Sequence, residues 1–269
     1  MTEVVLYNKD PRGVATITIN RPEVHNAFND DVINLLREAI NDSAADNDVR
    51  AVVLRSNGKN FSAGADLRMM KSSVNTTRDE NYANSKDMGR MFHTLNSMPK
   101  PVIALVQGSA FGGALGLISC CDIVIASQDA AFCLSEVKIG LAPAVISPFV
   151  VAALGERASR RYFQTAEKFG AAKAAELGLV HEVVSSADIA QGATQFDEAL
   201  FPILKSILCN APGAVAKSKE LVQNVSRAAI DESILEYTAE IIADLRIADE
   251  GQEGLSAFFE KRKPNWIKA

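Results

Sequence analysis

The sequence predicts an α/β fold with a largely helical C-terminal part, on three observations. Short, continuous apolar runs stand at Ala51–Leu54, Pro101–Val106 and Ile123–Ala126. Each is too brief for a helix and reads as a parallel strand buried on both faces. Stretches with helical spacing separate them, giving the strand–helix–strand alternation of right-handed crossovers. Beyond Gly155 the pattern becomes mostly helical.

The elements follow in order. Val14–Ile19 alternates β-branched and apolar residues, a strand signal that Arg21-Pro22 terminates. From Asn29 to Ala45, the residues Val32, Leu35, Leu36, Ile40 and Ala44 recur at helical spacing, with Asn29 as the expected N-cap. The three strand runs come next, then an apolar run at Leu179–Val184. Helices are predicted over 188–208, 212–228, 231–249 and 251–262. No internal repeat or low-complexity linker interrupts the chain. The change of character places a core over 1–195 and a C-terminal helical region over 196–269, able to finish the core or to meet neighbouring subunits.

Bulk properties narrow the function. Of 269 residues, 48% are apolar and 23% charged, which supports a sizeable core and excludes global disorder. A net charge of −5 lacks the basic face that nucleic-acid binding needs. Cys120, Cys121, Cys133 and Cys209 form no C-x-x-C pair and are expected to be reduced. The N-terminus carries no basic-then-apolar leader, and no apolar run reaches the ~18 residues of a bilayer span, so the expected compartment is the cytoplasm.

Three segments that follow predicted strands and lack bulk are candidate sites: Asn60–Asp66, Gln107–Gly116 and Phe132–Gly140. The second has Phe111 where a dinucleotide fingerprint needs its first glycine, and no P-loop is present. Neither Ser62 nor Ser109 sits in a nucleophile elbow. His25, His93 and His181 lie far apart and make no metal pattern. What the small residues offer is close backbone approach. A helix starting at Gly112-Gly113 would aim free N–H groups at a carbonyl oxygen, and Gly64-Ala65-Asp66 would supply a second donor. The same glycines also suit plain tight turns. Glu136 stands among Phe132, Leu134, Val137 and Ile139, where an apolar setting would raise its pKa into the range of proton transfer; pairing with Lys138 on a surface turn is the alternative. Asp66 reads better as a helix cap than as a catalyst, and Asp122 as a structural or interface residue. The polar stretch Lys71–Arg90 is either a lid or a solvated helix.

Taken together, Ile17–Pro22 with Asn26–Phe28, Phe61–Asp66, Gly108–Gly116 with Cys121-Asp122, Glu136–Gly140, and Glu253-Gly254 with Ala257–Arg262 resemble the crotonase (enoyl-CoA hydratase/isomerase) family, in order along nearly the whole chain. Within it, LSEVKIGLAPAVISPFVV and FGGALGLISCCD are most similar to the methylglutaconyl-CoA hydratase branch, with isohexenylglutaconyl-CoA hydratases as kin. The resemblance implies a spiral of ββα turns, a trimer or a hexamer built from two trimers, and an acyl-CoA substrate. It implies no cofactor beyond the substrate's coenzyme A, no metal, and neither nucleic acid nor membrane as partner. It places the oxyanion donors on the N–H groups of Ala65 and Gly113 and the acid/base on Glu136. The coenzyme A loop falls on Ala63 through Arg68, which includes Asp66 and Leu67, and a neighbour's contribution falls on Phe258 and Lys261. One departure stands out. The family's second catalytic glutamate would lie at Gly116, which has no side chain to hold water. The expectation is therefore that Glu136 does both jobs, with Ala144 N–H positioning the water beside Gly116. A one-glutamate Δ3,Δ2-enoyl-CoA isomerase is the runner-up, and a non-catalytic RNA-binding role is a third reading.

Overall fold

The computed structural model describes residues 3–72, 76–185, 194–226 and 228–267. Its main sheet has six strands in the order β1 (Val5–Lys9), β2 (Val14–Ile19), β3 (Ala51–Ser56), β4 (Val102–Val106), β6 (Ile123–Ser127) and β9 (Glu182–Val184). Only β1 runs antiparallel to its neighbour; the other pairings are parallel. The apolar runs have a simple cause. Alternate residues of each strand enter two different cores, Val52, Leu54, Ala104 and Val124 on one face, Val53, Ile103, Leu105 and Ile125 on the other. With both faces dry, no position is left for a polar residue.

The first face is covered by α1 (Asp30–Ala45), α3 (Arg78–Ser97), α4 (Gly113–Ser119) and α5 (Ser147–Thr165), through residues such as Leu36, Phe92, Leu115 and Val150. Asn29 caps α1 as expected, its side chain accepting from Val32 N. The second face is covered by α7 (Thr194–Cys209) through Phe196, Leu200 and Leu204. The predicted helix over 188–208 thus corresponds to α7, while 186–193 lie outside the described residues. Because α7 completes the core, the change of role falls after Cys209 rather than near 195.

A small second sheet positions the site. It contains β5 (Ser109–Phe111), β7 (Ala131–Cys133) and β8 (Phe169–Gly170), and an isolated parallel bridge joins Ser62 to Ala110 of β5. Three main-sheet strands hand the chain to this second layer: β3 to Ser62, β4 to β5, β6 to β7. The fold is a spiral of such turns, as the sequence implied. Runs of two or three residues carry too little periodicity to be read as strands, and β1 buries only Val5 fully, so neither was legible beforehand.

The last helices differ. Neither α8 (Pro212–Val225) nor α9 (Glu232–Ile247) buries a residue, and α10 (Asp249–Phe259) buries only Ala257. They are tied to the core by polar links. Lys219 Nζ donates to Asp122 Oδ2 at 2.8 Å, and the same oxygen accepts Val102 N at 2.8 Å, so Asp122 is a structural residue joining α8 to the start of β4. The Arg50 guanidinium donates to the carbonyls of Leu208, Asn210 and Trp266. No single helix among the described residues is long and apolar enough to cross a membrane. The stretches Phe196–Cys209 and Pro212–Val225 pass that test only as a pair bent by 107°, and the first lies against the sheet. All four cysteines are free, Cys120 and Cys133 buried and Cys209 exposed.

Candidate active site

The three segments singled out by their small residues are neighbouring rungs of the small sheet. Ser62 bridges Ala110, and Phe111 pairs with Cys133, so Gly64-Ala65, Gly112-Gly113 and Glu136 all leave that sheet at one edge. Sequence spacing alone gives no such adjacency; parallel pairing creates it.

Each donor is set by its neighbours. Phe28 N donates to Gly64 O and Asp66 N donates to Phe28 O, both at 2.8 Å, which turns the N–H of the intervening Ala65 away from Phe28. Gly113 opens α4, where N–H groups lack intrahelical acceptors. Neither Ala65 N nor Gly113 N has a hydrogen-bond partner among the described residues. Phe28 brings the two turns together, since its backbone bridges Ala65 and its ring lies against Gly113. Glycine is required at two points. Gly112 has φ +54°, and a Cβ there would sit 3.2 Å from Glu136 Oε1; Gly64 has φ +94°, and a Cβ there would sit 3.0 Å from Phe111 O. Both conformations are open chiefly to a residue without a side chain.

Glu136 begins a 3-10 turn, Glu136–Ile139, three residues beyond the buried β7 residue Cys133 and next but one to buried Leu134. No ion pair joins it to Lys138 among the described residues. Its Oε2 is buried without a hydrogen-bond partner, and its Oε1 faces Gly112. Burial pushes its pKa above the ordinary glutamate range, offset in part by its own backbone N–H. A half-buried carboxyl with one idle, fully covered oxygen beside a free amide is equipped to take and return a proton next to an oxygen that gains charge.

The water-positioning expectations meet a different geometry. Ala144 N already donates to Ala142 O at 2.7 Å, so that N–H is spent on the loop. Gly116 faces no water site either: a Cβ there would sit 2.3 Å from Ile146 Cγ2 and 3.0 Å from Phe92 Cζ. The room left by the missing side chain is filled by an apolar wall. Sequence could not show this, because Ile146 and Phe92 come from two other elements.

The loop expected to hold coenzyme A is divided. Ala63, Leu67 and Arg68 are exposed, Leu67 at 80%. Asp66 is buried and committed to the chain: one oxygen caps Arg68 N at 2.8 Å and the other accepts Arg21 Nη1 at 3.1 Å. That makes it the cap of α2 (Leu67–Ser72) rather than a free binding group. Phe258 and Lys261 lie at the exposed end of α10, and no hydrogen bond or ion pair among the described residues links them to residues 63–68. His25 lies on the surface against Asn60, and His181 accepts from Val124 N. No group of three or more potential metal ligands occurs among the described residues.

The family model for enoyl-CoA hydratase/isomerase matches residues 9–269. The chain belongs to the enoyl-CoA hydratase/isomerase family. It is 33% identical to a short-chain-enoyl-CoA hydratase of Clostridium acetobutylicum, over 98% of this chain and 97% of that one. It is 30% identical to a trans-2-decenoyl-[acyl-carrier-protein] isomerase of Streptococcus mutans, over 97% of each chain. A crystal structure of an enoyl-CoA hydratase from Shewanella pealeana superposes with a TM-score of 0.92 at 43% identity, covering 98% of this chain and 96% of that one. The crotonase fold expected from the resemblance is therefore established, and with it an enzyme of the enoyl-CoA hydratase type, in a family that acts on acyl-CoA substrates.

Proposed function

We propose that this enoyl-CoA hydratase/isomerase family member adds water across the 2,3 double bond of a branched enoyl-CoA, with 3-methylglutaconyl-CoA as substrate and 3-hydroxy-3-methylglutaryl-CoA as product. One observation carries the reading: the idle, buried Oε2 of Glu136 lies at the same sheet edge as two unpaired amides. As hydroxide equivalent reaches C3, the thioester carbonyl takes on enolate charge, which Ala65 N–H and Gly113 N–H bind more tightly than the neutral carbonyl. Glu136 takes the water's proton and delivers one to C2. No cofactor enters beyond the substrate's coenzyme A, which the exposed loop around Ala63, Leu67 and Arg68 would receive. A neighbouring copy would add Phe258 and Lys261, in a trimer or a doubled trimer, in the cytoplasm. Glu136→Gln should cut turnover about 100-fold or more, the usual yield of a positioned acid/base, while acyl-CoA still binds. Hydration by that variant at the wild-type rate would remove Glu136 from the mechanism.

Isohexenylglutaconyl-CoA, a longer branched diacid thioester, is the closest alternative substrate. A second reaction, Δ3,Δ2-enoyl isomerisation, is favoured by the apolar wall at Gly116, because a site with one carboxyl and a dry opposite face moves a proton between C2 and C4 without water. Turnover in 18O-labelled water separates the two. Only hydration leaves the solvent's oxygen in the product.

A further inference from the structure

From the groove on the outer side of the apolar wall, we infer that α3 reads the acyl group's far end through Lys86 and Arg90, selecting thioesters that carry a second carboxylate. This deepens the hydratase reading and rests on it for the orientation of the acyl chain. A groove of about 470 Å³ runs along α3, lined by Tyr82, Lys86, Gly89, Arg90, His93 and Val145. Three contacts give its place. Glu136 faces Gly112, the start of α4; one turn along α4, Gly116 meets Ile146; the preceding residue, Val145, meets α3 at Gly89. On this proposal, an acyl chain anchored by its thioester oxygen at the start of α4 runs along the outside of the Ile146 wall, where Val145 borders the groove.

The groove's chemistry points to an anion. Residues 82, 86, 89, 90 and 93 recur at helical spacing and present one face of α3. Lys86 Nζ lies 5.8 Å above the Tyr82 ring centroid and has no carboxylate partner among the described residues. Arg90 reaches Asp87 at 2.8 Å, but both side chains are more than half exposed, so that pair is weak and open to exchange. The nearby acid Glu80 is engaged with Thr77 at the helix start. Gly89 is the telling residue. Glycine inside a helix costs roughly 1 kcal/mol relative to alanine, yet a Cβ there would meet only Val145 Cγ1 at an ordinary 3.7 Å. Packing does not require the glycine. Its absent side chain leaves the groove open between two cations, a shape that suits a carboxylate held by charge-assisted hydrogen bonds.

The test uses saturated thioesters, so that it does not depend on turnover. Affinities of glutaryl-CoA and butyryl-CoA, which differ by one terminal carboxylate, are measured by calorimetry on the full-length protein. Glutaryl-CoA should bind more tightly to wild type, with a preference that shrinks as salt is raised. In the Lys86→Ala/Arg90→Ala variant the preference should fall about tenfold, one charge-assisted contact's worth. Gly89→Leu, which fills the groove and leaves both cations, should lower it as well. Equal binding of the two thioesters to wild type, or an unchanged ratio in both variants, overturns the proposal. Should the carboxylate preference be present and fall in both variants while no enoyl thioester is hydrated, the groove's role stands and the hydratase reading fails by itself.

Discussion

Glu136 illustrates how a site residue trades stability for chemistry. Burial raises its folded-state pKa above the value in the unfolded chain, so its favourable contribution is complete below the ordinary glutamate pKa of about 4.3 and is lost as pH rises through the folded value. Removing the charge should reverse this. Glu136→Gln is expected to melt at a higher temperature than wild type near neutral pH, with the difference closing below the ordinary glutamate range. A melting series across pH checks it, and a variant less stable at neutral pH would contradict it. On the proposed mechanism, in which the base form activates water, the same shift should place the acid limb of the activity profile above the usual carboxylate range. Gly116 gives a second residue-scale test. Gly116→Ala should cost about 1–3 kcal/mol by overpacking, since its methyl would meet Ile146 Cγ2. Combined with Ile146→Ala, most of that penalty should vanish in urea titrations, and additive costs would refute the contact.

At the scale of elements, two hydrogen-bonded devices fix helices, one adding to the burial of α3 and one holding α8, which buries no residue. Helix α3 starts in a capping box: Thr77's hydroxyl accepts Glu80 N while Glu80's carboxylate accepts Thr77 N. Thr77→Ala should cost about 1 kcal/mol, measured by chemical denaturation. Helix α8 depends on Lys219, whose ammonium meets the half-buried Asp122. Burial outweighs this partner and raises the Asp122 pKa, so the carboxylate is poorly placed to lose it. Lys219→Met should therefore destabilise by about 1–3 kcal/mol, the cost of an unsatisfied buried group. Adding Asp122→Asn should recover part of the loss, and a silent Lys219→Met would show that α8 is held by other contacts.

At the scale of the whole molecule, the C-terminal helices leave more apolar surface open than a lone subunit needs. Phe258 and Phe259 are 77% and 76% exposed and pack edge to face, with Ile242, Ile247 and Leu255 exposed on the same pair of helices. Such a face calls for a partner, and the proposed trimer supplies one. Replacing both phenylalanines with serine should shift the protein to a smaller species in light scattering after gel filtration, with acyl-CoA affinity falling alongside. An unchanged mass would place the interface elsewhere.

What could be read beforehand was whatever short-range chemistry dictates. The apolar runs of β3, β4 and β6, the periodicity and cap of α1, the glycines of the two turns and the odd position of Glu136 all follow from local rules. The small strands escaped because two or three residues have no period. The sequence by itself determined the α/β class and, through its resemblance, the spiral, the family and the candidate reacting groups. Only the tertiary structure decided which groups meet: parallel pairing of β5 with β7 carries Gly113 and Glu136 to one edge, Ile146 and Phe92 close the space at Gly116, and Asp66 and Ala144 are occupied by their own chain. The reason is physical. A residue's conformational preference is set by its immediate neighbours, whereas the partner of a buried carboxyl or a free amide is set by which distant strands share a sheet.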